Sequence, residues 1–119
     1  KLIEDNQYPF EVFGVNNGST SEDDFYDNLG TQLWGNIKEM LEENMTANLN
    51  GEQPIIELPD DGLLIKELST RKFKMTSRSR IRLESKDDMK KRNIGSPDIA
   101  DALALAFYEP PSHYQFIQF

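Results

Sequence analysis

The sequence predicts a single α/β domain, and three observations predict it. Phe25, Leu29, Leu33, Ile37 and Leu41 recur every four residues, the spacing of one helix face. Arg71–Met75 and Arg80–Glu84 each alternate charged and apolar residues, the period of a half-buried strand. Ile99 to Tyr108 is almost wholly small and apolar apart from Asp101, and it follows Ser96-Pro97, a helix-start pair. The expected elements are therefore a β-strand, a long amphipathic helix, a β-hairpin and a C-terminal helix. The 119 residues fit one domain or part of one.

The elements follow in order. Leu2 to Asn6 reads as the tail of a helix. Tyr8 to Val15 reads as a strand, with Phe10, Val12 and Phe13 as β-formers and Pro9 near its start, where a strand tolerates it. Asn16-Asn-Gly18 ends it as a turn. Ser19-Thr-Ser21 offers N-caps, and Glu22, Asp23 and Asp24 suit a first turn, so the long helix is expected over 21–44. Gly30 and Gly35 each weaken it by about 1 kcal/mol relative to Ala, and their bare backbone permits close packing.

The Asn-rich stretch from Asn44 to Pro54 reads as a loop, and Ile55 to Leu58 as a short extended piece. Pro59-Asp-Asp61 starts a short helix through Leu68. Thr76 to Ser79 joins the hairpin strands, putting Phe73 with Met75, and Ile81 with Leu83, on shared faces and a basic surface outside. Ser85 and Asp88 form a capping-box pattern for a helix to Arg92, which Asn93-Ile-Gly95 breaks. Ser96 is the expected N-cap of the last helix and Pro97 its first residue. Pro110-Pro111 forbids continuation. Ser112 to Phe119 is aromatic-rich and has no assignable pattern.

Composition narrows the chemistry. There is no cysteine and only one histidine, His113, so disulfides, thiolate sites and His-rich zinc sites are excluded. A metal would need oxygen ligands, which suits Mg²⁺ or Mn²⁺. Mean hydropathy is −0.65, and the longest apolar run is too short to span a bilayer, so no membrane partner is expected. The N-terminus has no apolar signal-peptide core and does not begin with Met, so a piece of a longer protein is expected.

The net charge of −8 conceals an asymmetry. Residues 71–92 carry ten basic side chains, Arg71, Lys72, Lys74, Arg78, Arg80, Arg82, Lys86, Lys90, Lys91 and Arg92, against three acids, for +7. The rest of the chain is −15. A charge run is commonly just solvated surface, but one sign on an acidic body points to an anionic partner. No base-reading pattern accompanies it, so any contact with a nucleic acid is expected to be sequence-tolerant.

Asp98 and Asp101, three residues apart, share a helix face. Asp98 falls in the first turn, where the macrodipole alone justifies a carboxylate. Asp101 lies among Ile99, Ala100, Ala102, Leu103, Ala104 and Leu105, on a helix expected to be buried on several sides. A carboxylate there is costly unless paired or metal-bound. Both are candidate catalytic and metal-ligating residues.

These segments resemble a known family. Lys72-Phe73-Lys74, Arg80-Ile-Arg-Leu-Glu-Ser-Lys-Asp-Asp-Met-Lys-Lys-Arg92 and Ser96-Pro-Asp-Ile-Ala-Asp-Ala-Leu-Ala-Leu105 are similar to the end of the large terminase subunit of tailed bacteriophages. The likeness continues upstream in order through Leu63–Leu68, the helix with Phe25 and Trp34, and the strand ending near Gly18. It implies that residues 1–119 are the C-terminal portion of a ribonuclease H-like nuclease domain. It further implies a DNA endonuclease that cuts concatemeric viral DNA during packaging, in the host cytoplasm and transiently at the procapsid portal. Two divalent ions, Mg²⁺ or Mn²⁺, are implied, with Asp101 as the final-helix acid and Asp98 its neighbour. Double-stranded DNA, the portal and the small terminase subunit are the implied partners. No segment matches the family's first two acidic strands, and there is no Walker-type phosphate loop, so the remaining metal ligands and the ATPase are expected outside this chain, which alone would not cut DNA. Two other readings stand beside this one. One is a non-catalytic module that grips DNA or docks on a packaging partner. The other is a plain α/β domain with a solvated basic hairpin.

Overall fold

The computed structural model describes residues 15–21 and 23–109. The expected helix tail at Leu2–Asn6, the strand from Tyr8 except Val15, His113 and the aromatic C-terminus lie outside these. Six elements follow in order: α1 (Leu29–Leu49), α2 (Gly62–Thr70), β1 (Phe73–Met75), β2 (Ile81–Leu83), α3 (Lys86–Lys91) and α4 (Asp98–Ala106). The architecture is mixed helix with a small two-stranded antiparallel sheet.

The long helix begins eight residues later than its periodicity predicts. Asn28, not the 19–21 segment, is the N-cap; its Oδ1 accepts from Thr31 N at 2.9 Å and from Thr31 Oγ1 at 2.8 Å. The reason is competition from local and long-range bonds. Ser21 Oγ accepts from Asp23 N, and Asp23 Oδ1 accepts from Phe25 N, bonds that offer the backbone an alternative to helix. Residues 25–27 then pair with β2 in parallel: Ile81 N donates to Phe25 O at 2.9 Å and Asp27 N to Ile81 O at 2.8 Å. The turn at 17–18 forms as expected. Carbonyls from this segment, Ser19 O and Asn17 O, accept from Leu29 N and Gly30 N. They satisfy first-turn donors that have no partner within the helix.

The helix also runs five residues further than expected, through the stretch read as loop. Asn44 is not a helix breaker here. Its side-chain amide clasps the returning chain, donating to Ile56 O at 2.6 Å and accepting from Ile55 N at 2.7 Å. That clasp satisfies an extended segment that has no sheet partner among the described residues, and Ile56 enters the core.

Downstream the local signals hold. Asp61 caps α2 by accepting from Leu63 N. The hairpin pairs Phe73 with Leu83, Lys74 with Arg82 and Met75 with Ile81. Its turn has no glycine, and Ser79 takes the left-handed conformation at φ 58°. Ser85 Oγ accepts from Asp88 N to cap α3. Asn93, at φ 60°, ends α3 in a Schellman motif: Ile94 N donates to Met89 O and Asn93 N to Lys90 O.

The cap of α4 differs from the expected one. Pro97 holds the cap position and makes no side-chain cap bond. Ser96 Oγ instead donates to the Asp98 carboxylate. The service comes from a distance: Glu67 Oε1 on α2 accepts from Ala100 N at 2.9 Å. Nor is α4 buried on several sides. Ala100 and Ala104 are buried where it packs on α1 and α2, while Ile99, Leu105 and Phe107 remain substantially exposed. The core gathers Leu29, Leu33, Trp34, Ile37, Ile56, Leu64, Leu83, Ala100 and Ala104. Thr31 ties helix to sheet by accepting from Leu83 N at 2.9 Å.

Candidate functional site

Asp101 stands where α1, α4 and the two ends of the hairpin meet. Trp34 on α1 donates its indole N–H to Asp101 Oδ1 at 2.8 Å. Arg71, just before β1, donates from Nη1 to the same oxygen at 3.2 Å. Lys86, the first residue of α3, brings Nζ to 2.8 Å of Oδ2. Oδ2 itself is buried, and among the described residues the Lys86 ammonium is the group brought against it. The Asp101 side chain as a whole is 18% exposed.

Arg71 is the rigid member of this cluster. Its side chain is 8% exposed. Its guanidinium sits 4.8 Å over the Trp34 ring, and Nε donates to Glu84 O at 2.9 Å. Burial pulls its pKa below the ordinary range, and the Asp101 carboxylate opposes that shift. Glu84 is fixed in turn. Arg92 binds both its oxygens, at 2.7 and 2.6 Å, and also donates to Thr70 O. This bidentate pair holds the Glu84 carboxyl down at about 2 and raises the Arg92 guanidinium further. A chain of charge-assisted bonds thus runs from Arg92 through Glu84 and Arg71 to Asp101.

Two clefts meet at Asp101 and Trp34. One, of about 210 Å³, lies between the 17–18 turn, Thr31, Arg71, Glu84 and Asp101. The other, of about 200 Å³, is lined by Asn17, Gly30, Lys86, Asp101 and Leu105. Asp98 does not join Asp101 in either lining. It is exposed and bonded to Ser96, so its helix-start explanation suffices.

The ten basic residues divide. Arg71 is buried against Asp101 and Trp34, and Arg92 clamps Glu84 at the surface. Lys86 faces Asp101. Arg80 and Arg82 approach Asp24 at 3.9 Å and Asp27 at 3.6 Å, and Lys91 approaches Asp88 at 3.8 Å. Lys72, Lys74, Arg78 and Lys90 are exposed and form no ion pair among the described residues. Lys74 lies directly opposite Arg82 across the hairpin, a like-charge pair that destabilises a bare sheet. An anion between the two would relieve it.

The fit to a divalent metal is partial. Asp101 places a carboxylate at the meeting of two clefts, which suits a ligand. Among the described residues, however, no group of three or more acids or histidines surrounds it, and two cations already flank it. These residues supply one metal ligand and cannot hold an ion by themselves.

Sequence reasoning singled out Asp101 but missed its partners. Trp34 registers there only as a member of an apolar helix face, and Arg71 and Lys86 only as part of a basic run. Trp34 lies 67 residues from Asp101 and Arg71 lies 30, and no local pattern connects them. Among the described residues, no helix is long and apolar enough to cross a membrane. No family profile, curated protein or solved structure matches the chain.

Proposed function

We propose that this chain is the C-terminal part of a ribonuclease H-like nuclease domain, of the kind that ends the large terminase subunit of tailed bacteriophages. In that reading it helps cut concatemeric DNA during packaging, in the host cytoplasm and at the portal. The observation that carries the reading is the environment of Asp101, a carboxylate of a largely apolar helix held by Trp34, Arg71 and Lys86 at the junction of two clefts and beside a cationic hairpin. The Ser-Pro-Asp-Ile-Ala-Asp segment and the preceding basic stretch support it by their resemblance.

The residues divide the work as follows. Asp101 contributes one metal ligand, and the other acids come from outside this chain. Trp34 and Arg71 hold its Oδ1, so that Oδ2 keeps one orientation. The Lys72, Lys74 and Arg82 face of the hairpin receives backbone phosphates. Two divalent ions in such a site supply an activated water and stabilise the leaving oxygen.

The test is Asp101→Asn in the protein that carries this chain with its upstream acids. Plasmid cutting in Mg²⁺ is expected to vanish while DNA binding persists; normal cutting by the variant would refute the assignment. Residues 1–119 alone are expected to leave plasmid intact. A second reading, a module that only grips DNA, is favoured by the Lys74–Arg82 juxtaposition. Under either reading, Lys72→Ala with Lys74→Ala should lower the slope of log affinity against log salt by about 2, roughly 0.9 per phosphate contact. An unchanged slope would remove the hairpin from the DNA surface.

A further inference from the structure

We propose that the open edge of β1 is a docking site for an extended peptide segment that alternates acidic and apolar residues. The segment pairs as an added strand along Phe73–Met75. The inference uses the backbone edge of the hairpin and its apolar face, so it stands independently of the nuclease reading.

β2 is paired on both sides. β1 runs antiparallel along one edge, and Phe25 and Asp27 bond Ile81 along the other. β1 has β2 on one side and, among the described residues, no strand on the other. The ladder fixes which of its groups are open. Glu84 N donates to Lys72 O at 2.8 Å and Thr76 N to Arg80 O at 2.7 Å. Bonded positions alternate in an antiparallel pair, so the Lys74 backbone faces Arg82 while Phe73 and Met75 turn their N–H and C=O groups outward. Two donors and two acceptors thus line the edge. The side chains are open as well. Phe73 and Met75 share the face on which β2 buries Leu83, yet they are 38% and 61% exposed. An exposed apolar edge of this kind is a template for strand addition.

Charge selects the occupant. Lys72 and Lys74 alternate with Phe73 and Met75, are exposed, and form no ion pair among the described residues. A second copy of β1 laid antiparallel about its centre would set Lys74 against Lys74, a destabilising like-charge pair. A strand with carboxylates at alternate positions instead meets the lysines on one face. Its apolar residues then lie against Phe73 and Met75 on the other. A cleft of about 210 Å³ beside β1, lined by Lys72, Phe73, Lys74, Glu84 and Asp88, has room for one of its side chains.

An end-blocked peptide of alternating glutamate and valine is the probe. Titrated into the isotope-labelled chain and followed by NMR, it should shift the Phe73 and Met75 amides and slow their hydrogen exchange. One alternating set of peptide nitrogens faces β1 and the other faces away. Methylating the facing set should weaken binding about tenfold, and methylating the other about twofold at most. A peptide with lysine in place of glutamate should bind about tenfold more weakly. Met75→Pro removes an outward N–H but no ladder bond, a change an edge strand tolerates, and should weaken binding about fivefold. The amide spectrum verifies that this variant is folded, and the methylated peptides test the same bonds on the unaltered chain. Binding that tolerates methylation of either set, equal binding of the lysine peptide, or shifts that miss the Phe73 and Met75 amides would overturn the proposal. So would slow exchange of those two amides without peptide, the sign that another segment or a second copy already holds the edge.

Discussion

Replacing Arg71 by Met removes the cation that joins four parts of the fold. The guanidinium bonds Asp101 on α4 and Glu84 O after β2, stacks on Trp34 of α1, and follows directly from α2. Removing one partner of a buried pair costs about 3–5 kcal/mol, because the other is left uncompensated. Here Asp101 keeps the Trp34 N–H and Lys86 and is partly exposed, which favours the lower end. The Met stem refills some of the space above the indole. The expected loss is therefore about 3 kcal/mol, a large share of the roughly 5–15 kcal/mol typical of a domain. Urea unfolding followed by far-ultraviolet circular dichroism measures it without interference from changed Trp34 fluorescence. Arg71→Lys keeps the charge but loses the fork, so it should fall between the two. Combined with Asp101→Asn, the losses should be less than additive by about 2 kcal/mol. A loss under about 1 kcal/mol for Arg71→Met, or strict additivity, would refute the view that this pair organises the site.

Three further outcomes follow from the packing. Gly35→Ala should destabilise the fold by about 2 kcal/mol despite better helix propensity, because the new Cβ would lie 2.4 Å from the Tyr26 ring. Tyr26 cannot swing aside, being paired to β2 and bonded to Glu39, and thermal unfolding would expose the error if the variant were more stable. Thr31→Val should cost about 2 kcal/mol by leaving Leu83 N–H without an acceptor, with faster hydrogen exchange at that amide as the specific sign. Glu84, held at about 2 against an ordinary 4.5, adds stability that is fully present above 4.5 and lost as pH falls toward 2. Urea midpoints should therefore fall more steeply across that window for the unaltered chain than for Glu84→Gln; parallel profiles would count against the Arg92–Glu84 clamp.

The prediction of a mixed α/β chain with a long helix, a hairpin and a small-residue last helix matches the described elements. Agreement is closest where the signal is local. Ser85 caps α3 and Asn93 ends it because those bonds form within one turn of the chain. The alternation of residues 71–84 forms a hairpin for the same reason, since its partner strand is adjacent. The misplaced boundaries share the opposite cause. Helix periodicity around Phe25 and Tyr26 was overridden by pairing with Ile81, and the Ser96 cap was supplanted by Glu67 from another helix. The Asn-rich stretch was helical because Asn44 found backbone partners eleven and twelve residues away.

The sequence by itself determined which carboxylate is unusual. An aspartate among alanines and leucines next to a strongly basic segment is a chemical oddity wherever the chain goes, because charge in apolar surroundings demands compensation. It determined the cationic face of the hairpin too, since alternation assigns faces without reference to the rest of the fold. Only the tertiary structure decided what compensates Asp101. The indole, guanidinium and ammonium groups arrive from three elements separated by tens of residues, and their meeting depends on how α1, α4 and the hairpin pack. The same packing turned Arg71 inward, set Arg92 on Glu84 as a surface clamp and left Lys72 and Lys74 facing solvent. Side-chain type is written locally, whereas the partner of a buried charge is set by which surfaces the core brings together.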